Sequence, residues 1–347
     1  MTKTWHQFLA KKGAVFQGES IISFEDNPSI PCKTGQTSLI PLTSMAVIRV
    51  SGPDAEAFLH SQLTTDIKEL KPGNSGITGY CNPKGRLFAI FYLTRRPRDF
   101  LLVTDALIAK KVVKHLSMYV LRQKVNIDID NRFGVIGFTT TRPSHLDTLL
   151  KNHLLSKDGE TLSILAIPRS NNTQNTITIA PADFFIDKWS HLEELVNLDC
   201  LNKWTLTEIQ AGMPSITLAT QERFIPQSLN LDIIGGINFK KGCYPGQEIV
   251  ARVHYLGRLK QRMVRAAMTA SSSLPRPGEP LTPHSTIHSQ KAGSIVNIAK
   301  SGEDLVELLI TAPVTTAVGD TFTAPNSADI VVTDCFQPHD TANLSIK

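Results

Sequence analysis

Cys243 stands in the run Lys240-Lys241-Gly242-Cys243-Tyr244-Pro245-Gly246. Proline followed by glycine at the two central positions is the pattern of a type II turn. A residue beside such a turn is at least partly exposed. Two lysines adjoin the thiol, and a helix is expected to begin near residues 246–248. Ammonium groups and a helix N-terminus both favour thiolate, drawing the pKa below its free value of about 8.5. The chemistry open to such a sulfur is nucleophilic attack, redox exchange or metal ligation. The competing reading is a small buried thiol in a packing turn, and on the residues alone the two stand level. Gly235, Gly236, Gly242 and Gly246 mark close backbone approaches or positive φ.

Other chemistries are not legible. The five cysteines (Cys32, Cys81, Cys200, Cys243, Cys335) are odd in number and form no C-x-x-C pair. That argues against a disulfide framework and against a zinc site. The ten histidines form no H-E-x-x-H group, so no metal site is read. Residues 13–20 have the glycine spacing of a phosphate loop, but Glu19 stands where lysine belongs. Neither G-x-S-x-G nor G-x-G-x-x-G after a strand occurs. Basic residues gather twice: Lys84, Arg86, Arg95, Arg96 and Arg98 around one hairpin, and Arg252, Arg258, Lys260, Arg262 and Arg265 after the cysteine turn. A solvated face is the default explanation, with an anionic small molecule, RNA or an acidic protein as the functional alternatives. Without aromatic interleaving, direct RNA readout is weakly supported.

The chain has 347 residues, 41% of them hydrophobic and 19% charged, with a net charge of +5. That is the balance of a globular protein of about two domains, or three small ones. No apolar run approaches the roughly 20 residues that span a bilayer, and the N-terminus lacks a secretory signal pattern. A soluble cytoplasmic protein is the expectation.

The elements that must position the cysteine follow from periodicity. A helix is read near residues 5–12 and a strand at 20–24. Met45–Val50 reads as a strand, and Asp54 introduces a helix carrying Phe58, Leu59 and Leu63 on one face. Ile77–Cys81 and Leu87–Leu93 flank a turn at Asn82-Pro83-Lys84-Gly85. A strand at 100–104, a helix from the cap Asp105 to about Arg122 and a strand at 125–129 complete a ferredoxin-like α+β layer. A looser repeat of this grammar follows: strands near 134–138, 162–167 and 176–179, and helices near 144–155, 187–196 and 201–211. After the connector 271–278, short strands at 293–299, 305–310, 321–323 and 330–332 suggest a small antiparallel barrel. The division expected is 1–41 as an N-terminal extension, 42–130 and 131–257 as two α+β subdomains, and 258–347 as the barrel.

One family carries these motifs together. F-I-P-Q-x-x-N-L over Phe224–Leu231, then G-G-I-x-F-x-K-G-C-Y-x-G-Q-E ending at Glu248, resembles the YgfZ family of folate-binding proteins. That family is related to the T-protein, the aminomethyltransferase of the glycine cleavage system. Gly52–Leu59, Gln62-x-Thr64-x-Asp66, Gly79–Arg86 and Trp204–Pro214 fit as well, so the resemblance covers about residues 40–265.

The resemblance implies three subdomains in a ring around a central channel holding tetrahydrofolate or a one-carbon derivative. It implies Cys243 as the main functional thiol, seconded by Lys241. It places Trp204 against the pterin, and Met45 where the bacterial family has its first folate-contacting tryptophan. Gln210 replaces the glutamate of the E-A-G segment, exchanging a charge-assisted bond for an amide that both donates and accepts. Gln227, Asn230, Tyr244, Gln247, Glu248 and Arg252 complete the implied folate set. Ala89 and Ile90 fall where the T-protein has its catalytic acid, which makes the aminomethyl reaction improbable. The function implied is a tetrahydrofolate-binding accessory protein that supports iron–sulfur enzymes, and through them tRNA modification. Its implied partners are folate and iron–sulfur enzymes or assembly proteins. A one-carbon transferase using Asp66 or Glu248, and a folate-free adaptor or RNA-binding scaffold, are the alternatives.

Overall fold

The computed structural model describes residues 3–24, 37–154, 163–167, 173–257, 259–271, 273–284, 293–325 and 329–336. The chain opens with α1 (Lys3–Lys11) and the hairpin β1 (Ala14–Gln17) and β2 (Ser20–Phe24). Then come β3 (Ser38–Pro41), β4 (Met45–Ser51), α2 (Ala55–Gln62), β5 (Ser75–Cys81), β6 (Leu87–Arg95), β7 (Asp99–Asp105), α3 (Ala106–Ser117) and β8 (Asn126–Ile129). A second run holds β9 (Phe133–Thr140), α4 (Pro143–Leu149), β10 (Ser163–Ile167), β11 (Gln174–Pro181), α5 (Ala182–Leu195), β12 (Asn197–Leu198) and α6 (Leu201–Gln210). α7 (Gln247–Tyr255) leads into β13 (Gln261–Thr269), β14 (Pro280–Pro283), β15 (Gly293–Lys300), β16 (Leu305–Pro313), β17 (Thr321–Thr323) and β18 (Asp329–Asp334).

Two five-stranded sheets and a closed barrel result. The first sheet has the order β5-β6-β7-β4-β8, the second β10-β11-β9-β3-β12, and the barrel β13-β16-β15-β14-β17-β18. Strand alternation explains how the sheets stack. In β4, Ala46, Ile48 and Val50 enter the cluster that packs under α2 and α3, while Val47 enters a different cluster. β7 divides in the same way, with Phe100 and Leu102 on one side and Leu101 and Val103 on the other. The second cluster lies between the sheets, where those residues meet Phe133 and Val135 of β9, Ile177 and Ile179 of β11, and Trp204 of α6. The far face of the second sheet is closed by Trp5, Phe185 and Trp189 from α1 and α5. With both faces covered, β6 and β9 are buried almost throughout, which is why Leu87–Leu93 reads as a continuous apolar run and not as an alternating one.

Some elements differ from the sequence expectation. The helix after Asp105 stops at Ser117 and does not reach Arg122, because the chain turns and Leu121 adopts a left-handed φ of 48°. α5 starts at Ala182, five residues before the expected 187, with Phe185, Trp189 and Leu192 as its buried stripe. β13 went unread because its basic residues mask the buried Met263, Ala266 and Met268, yet it is the strand that closes the barrel between β16 and β18. Leu162 and Ser272 lie outside the described residues, as does Arg258. Among the described residues no helix is long and apolar enough to cross a membrane.

Candidate functional site

The cysteine turn is built by three stretches far apart in sequence. α2 ends at Gln62, leaving carbonyls with no partner within the helix and the negative end of its dipole. Lys241 supplies the countercharge: its Nζ donates to the carbonyl of Leu63 at 2.7 Å and also to that of His60. The side chain is buried, at 7% exposure, and its ammonium lies over the Tyr244 ring, 5.2 Å from the centroid. Burial pulls its pKa down to about 8, against the nearby charges of Asp66 and Cys243, which act to raise it. Lys241 is thus a strut between the first sheet's helix and the cysteine turn. Lys241→Met is expected to lower the unfolding free energy by about 2 kcal/mol, the worth of charge-assisted bonds to carbonyls, as read from urea melts.

The second stretch is the turn between β5 and β6. Gly246 has φ of 77°, and a Cβ there would lie 2.4 Å from the Asn82 carbonyl oxygen and 2.5 Å from Gly85 Cα. Gly85 has φ of 69°, and its Cβ would meet Ile249 at 2.9 Å. The two glycines stand back to back, so the Asn82–Arg86 and Lys241–Glu248 motifs form one contact surface. Asn82 stabilises its own turn by accepting from the amides of Lys84 and Arg86 at 2.9 and 3.0 Å. Third, Asn238 Oδ1 accepts from the amides of Lys240 and Lys241, and its own amide donates to the Thr64 carbonyl at 2.9 Å. Gln247 Nε2 closes the loop on the Lys241 carbonyl at 3.3 Å.

On this frame Cys243 is exposed, four residues before the first residue of α7. Tyr244 next to it is buried, and burial raises its phenol pKa. Glu248 and Arg252 project from α7 into solvent. His60 lies under the turn, with Nδ1 3.1 Å from Asp66 Oδ1 and Nε2 3.5 Å from where a Gly242 Cβ would stand. Burial and the Lys241 charge lower its pKa, against the Asp66 carboxylate. Alongside lies a cavity of about 440 Å³ bordered by Asp66, Asn238, Phe239, Lys240 and His254. The Phe239 and His254 rings stack at 3.7 Å with an interplanar angle of 10°.

Other residues singled out in the sequence sit elsewhere. Gln227 and Asn230 are buried clamps: Gln227 Nε2 donates to the Val250 carbonyl at 2.7 Å and Asn230 Nδ2 to that of Met263 at 2.8 Å. They tie the Pro226–Leu229 turn to α7 and to the barrel. Gln210 Nε2 reaches Glu307 of the barrel at 2.9 Å. Trp204 is fully buried between the sheets, and a Cβ at Gly137 would come within 2.5 Å of its ring. Met45 is half-buried against the same cluster. Ile77 and Ile234 pack on both this cluster and the one beneath the cysteine turn, so they join the two regions. The basic clusters disperse: Arg95 pairs with Glu56 at 2.6 Å, Arg262 grips Asp232 with two bonds, and Arg265 approaches Asp334 at 4.0 Å.

The sequence reading missed Glu208. It lies one helical turn after Trp204 on the buried face of α6, and Tyr92 of β6 donates a 2.5 Å hydrogen bond to its Oε1. Burial raises its pKa to about 7. The Trp204 indole N–H leans toward the same carboxyl and favours its ionised form, though without the geometry of a full hydrogen bond. The available signal was a carboxylate inside the apolar stripe Leu201, Trp204, Ala211. Half-buried Met45, Ile77 and Ile234 pack against the cluster that contains Tyr92 and Trp204.

The GCVT N-terminal domain family matches residues 34–138. The tRNA-modifying protein YgfZ of Colwellia psychrerythraea is 30% identical over 247 residues, covering 70% of this chain and 74% of that protein. The chain belongs to the YgfZ family. Another YgfZ protein, from Escherichia coli strain SE11, is 28% identical over 296 residues, covering 82% of this chain and 90% of its own. This chain shares its overall architecture with the glycine cleavage system aminomethyltransferase T from Bartonella henselae. The TM-score is 0.71 at 16% identity, with 96% of both chains covered. The α+β sheets and C-terminal barrel expected from the strand and turn spacing are present, and the fold is that of the aminomethyltransferase-like superfamily.

Proposed function

We propose that this YgfZ-family protein binds tetrahydrofolate and uses Cys243 to support iron–sulfur enzymes, tRNA-modifying ones among them. The observation that carries this reading is an exposed thiol on a turn fixed by a buried lysine and two apposed glycines. A thiol that only filled space would be enclosed, and a turn that only connected elements would not need three anchors. Among the described residues no three His, Cys, Asp or Glu side chains group to hold a metal ion. In this reading Cys243 acts on a client presented to it, in contact with the neighbouring face of Lys240, His254 and Tyr255.

For the folate, Glu208 would accept from the amino-pyrimidine edge, and Met45, Ile77 and Ile234 would cover the ring. Trp204 backs the carboxyl and is not itself an open stacking platform. The bound folate would supply one-carbon or redox chemistry of its own. The protein's part is to orient it and exclude water. Ala89 and Ile90 are buried apolar residues of β6, so that strand offers no carboxylate to stabilise an aminomethyl transition state.

Cys243→Ala is expected to fold with a melting temperature within about 1 °C of the parent, since an exposed side chain is removed. In a strain lacking its own YgfZ protein it should fail to restore iron–sulfur enzyme activity and tRNA modification. Full restoration by the folded variant takes Cys243 out of the mechanism. Calorimetric titration of the whole protein with tetrahydrofolate tests the other half: no heat with the parent leaves only a folate-free adaptor.

A further inference from the structure

At one end of the layer between the sheets lies a cavity of about 400 Å³ that no part of the folate or cysteine reading uses. Its wall brings together Arg49 of β4, Arg96 from the turn between β6 and β7, and Arg132 just before β9, with Asp183 and Pro181 at the start of α5. The arginines are held from behind. Asp99, 2% exposed, accepts from Arg49 Nε at 2.6 Å and from Arg96 Nε and Nη2 at 2.6 and 2.7 Å. Asp130, 4% exposed, accepts from Arg132 Nε and Nη2 at 2.9 and 2.6 Å. Neither of these two carboxylates borders the cavity. Both Nη groups of Arg49 and the Nη1 groups of Arg96 and Arg132 have no partner among the described residues.

This is a particular division of labour. Buried carboxylates fix the planes of three guanidinium groups, and four Nη groups from three elements remain for something in the cavity. The Arg96 guanidinium is further held over the Phe133 ring, 5.1 Å from its centroid. α5 has 14 residues and starts at Ala182, with Pro181 before it supplying no side-chain cap, so its positive dipole end adds to the same field. The Asp183 carboxylate is the one acidic group among the lining residues; with Asp99 and Asp130 behind them the three arginines are formally balanced, so the site attracts through directed N–H groups and not through net charge. Planar forks with paired N–H groups match phosphoryl oxygens in number and geometry. The volume is that of a small-molecule site, not of an extended groove.

We infer that Arg49, Arg96 and Arg132 form a binding site for a small phosphorylated ligand, separate from Cys243. The test uses the full chain and pyrophosphate as probe, followed by calorimetry and phosphorus NMR line broadening at low salt. Pyrophosphate should bind with a Kd below about 1 mM, several-fold tighter than citrate. Arg132 is 70% exposed. It also pairs with the buried Asp130, so the double variant Arg132→Gln/Asp130→Asn, which leaves no buried charge unpaired, should keep the fold while weakening binding about tenfold. Asp183→Asn removes the opposing charge and should tighten it about threefold. Arg49 and Arg96 neutralise the buried Asp99, so they are left intact. No binding of pyrophosphate, or affinity unchanged in both variants, overturns the site. So does citrate binding as tightly as pyrophosphate, which makes it a carboxylate site. An RNA oligonucleotide that binds through Arg132 where pyrophosphate does not would assign the surface to nucleic acid and likewise overturn the proposal.

Discussion

Gly246→Ala is expected to destabilise the protein by about 2–4 kcal/mol, measured as a lowered urea midpoint with unchanged slope. Two costs add. The residue sits at φ 77°, ψ 5°, a conformation in which a Cβ costs about 1 kcal/mol or more. The new methyl would also stand 2.4 Å from the Asn82 carbonyl oxygen, and backbone on that side cannot yield as a flexible side chain can. Overpacking of this kind costs roughly 1–3 kcal/mol. Gly18→Ala separates the two: φ is 61° there but nothing lies within 4 Å, so only the conformational cost of about 1 kcal/mol should remain. Gly85→Ala should resemble Gly246→Ala, and the double variant should lose less than the sum, because both open the same contact. A second readout is the alkylation rate of Cys243, which should change once the turn is displaced. If Gly246→Ala proves no worse than Gly18→Ala, the apposition of the two turns does not hold the site together.

Glu208→Gln should stabilise the protein above neutral pH by on the order of 2–3 kcal/mol, and not at pH 4. Burial holds the Glu208 pKa near 7 in the fold, against 4.5 for the free side chain. Between those values the folded protein binds the proton that the unfolded chain has released. Stability is therefore fully present below about pH 4.5 and is lost as pH rises toward 7; above that the ionised, buried carboxyl carries the whole penalty. Glutamine keeps an acceptor for the Tyr92 hydroxyl but has no proton to lose. Melting curves at pH 4, 6 and 8 measure the widening gap between parent and variant. A constant gap across that range would mean Glu208 does not titrate as its burial requires. The same variant should weaken tetrahydrofolate binding about tenfold, since an ionic acceptor becomes a neutral one. A carboxylate kept at the cost of stability is the kind of feature that function retains.

The cysteine turn was legible because its determinants are local. Pro245-Gly246 specifies a turn, Asp105 specifies a cap, and Asn82-Pro83-Lys84-Gly85 specifies a hairpin, each through the φ preferences of a few residues. The first sheet was legible for a related reason: strand alternation and turn chemistry repeat at short range. β13 was not, because half its residues face outward and are basic or small, and only barrel closure reveals the buried half. The arginines show the limit from the other side. Arg95, Arg96 and Arg98 look like one cluster along the chain, yet Arg95 turns to Glu56 while Arg96 joins Arg49 and Arg132.

By itself the sequence determined the layered α+β class with its barrel and the family membership, and it singled out Cys243 as a candidate, since all three rest on residue type and near-neighbour spacing. Only the tertiary structure decided what Lys241, Gly85 and Gly246 are for, that Trp204 is enclosed, and that a carboxylate lies buried between the sheets. Those facts depend on which distant backbone segments meet. Such contacts are set by the stacking of whole sheets, in which a residue's environment is supplied by partners more than a hundred positions away, as with Glu208 and Tyr92.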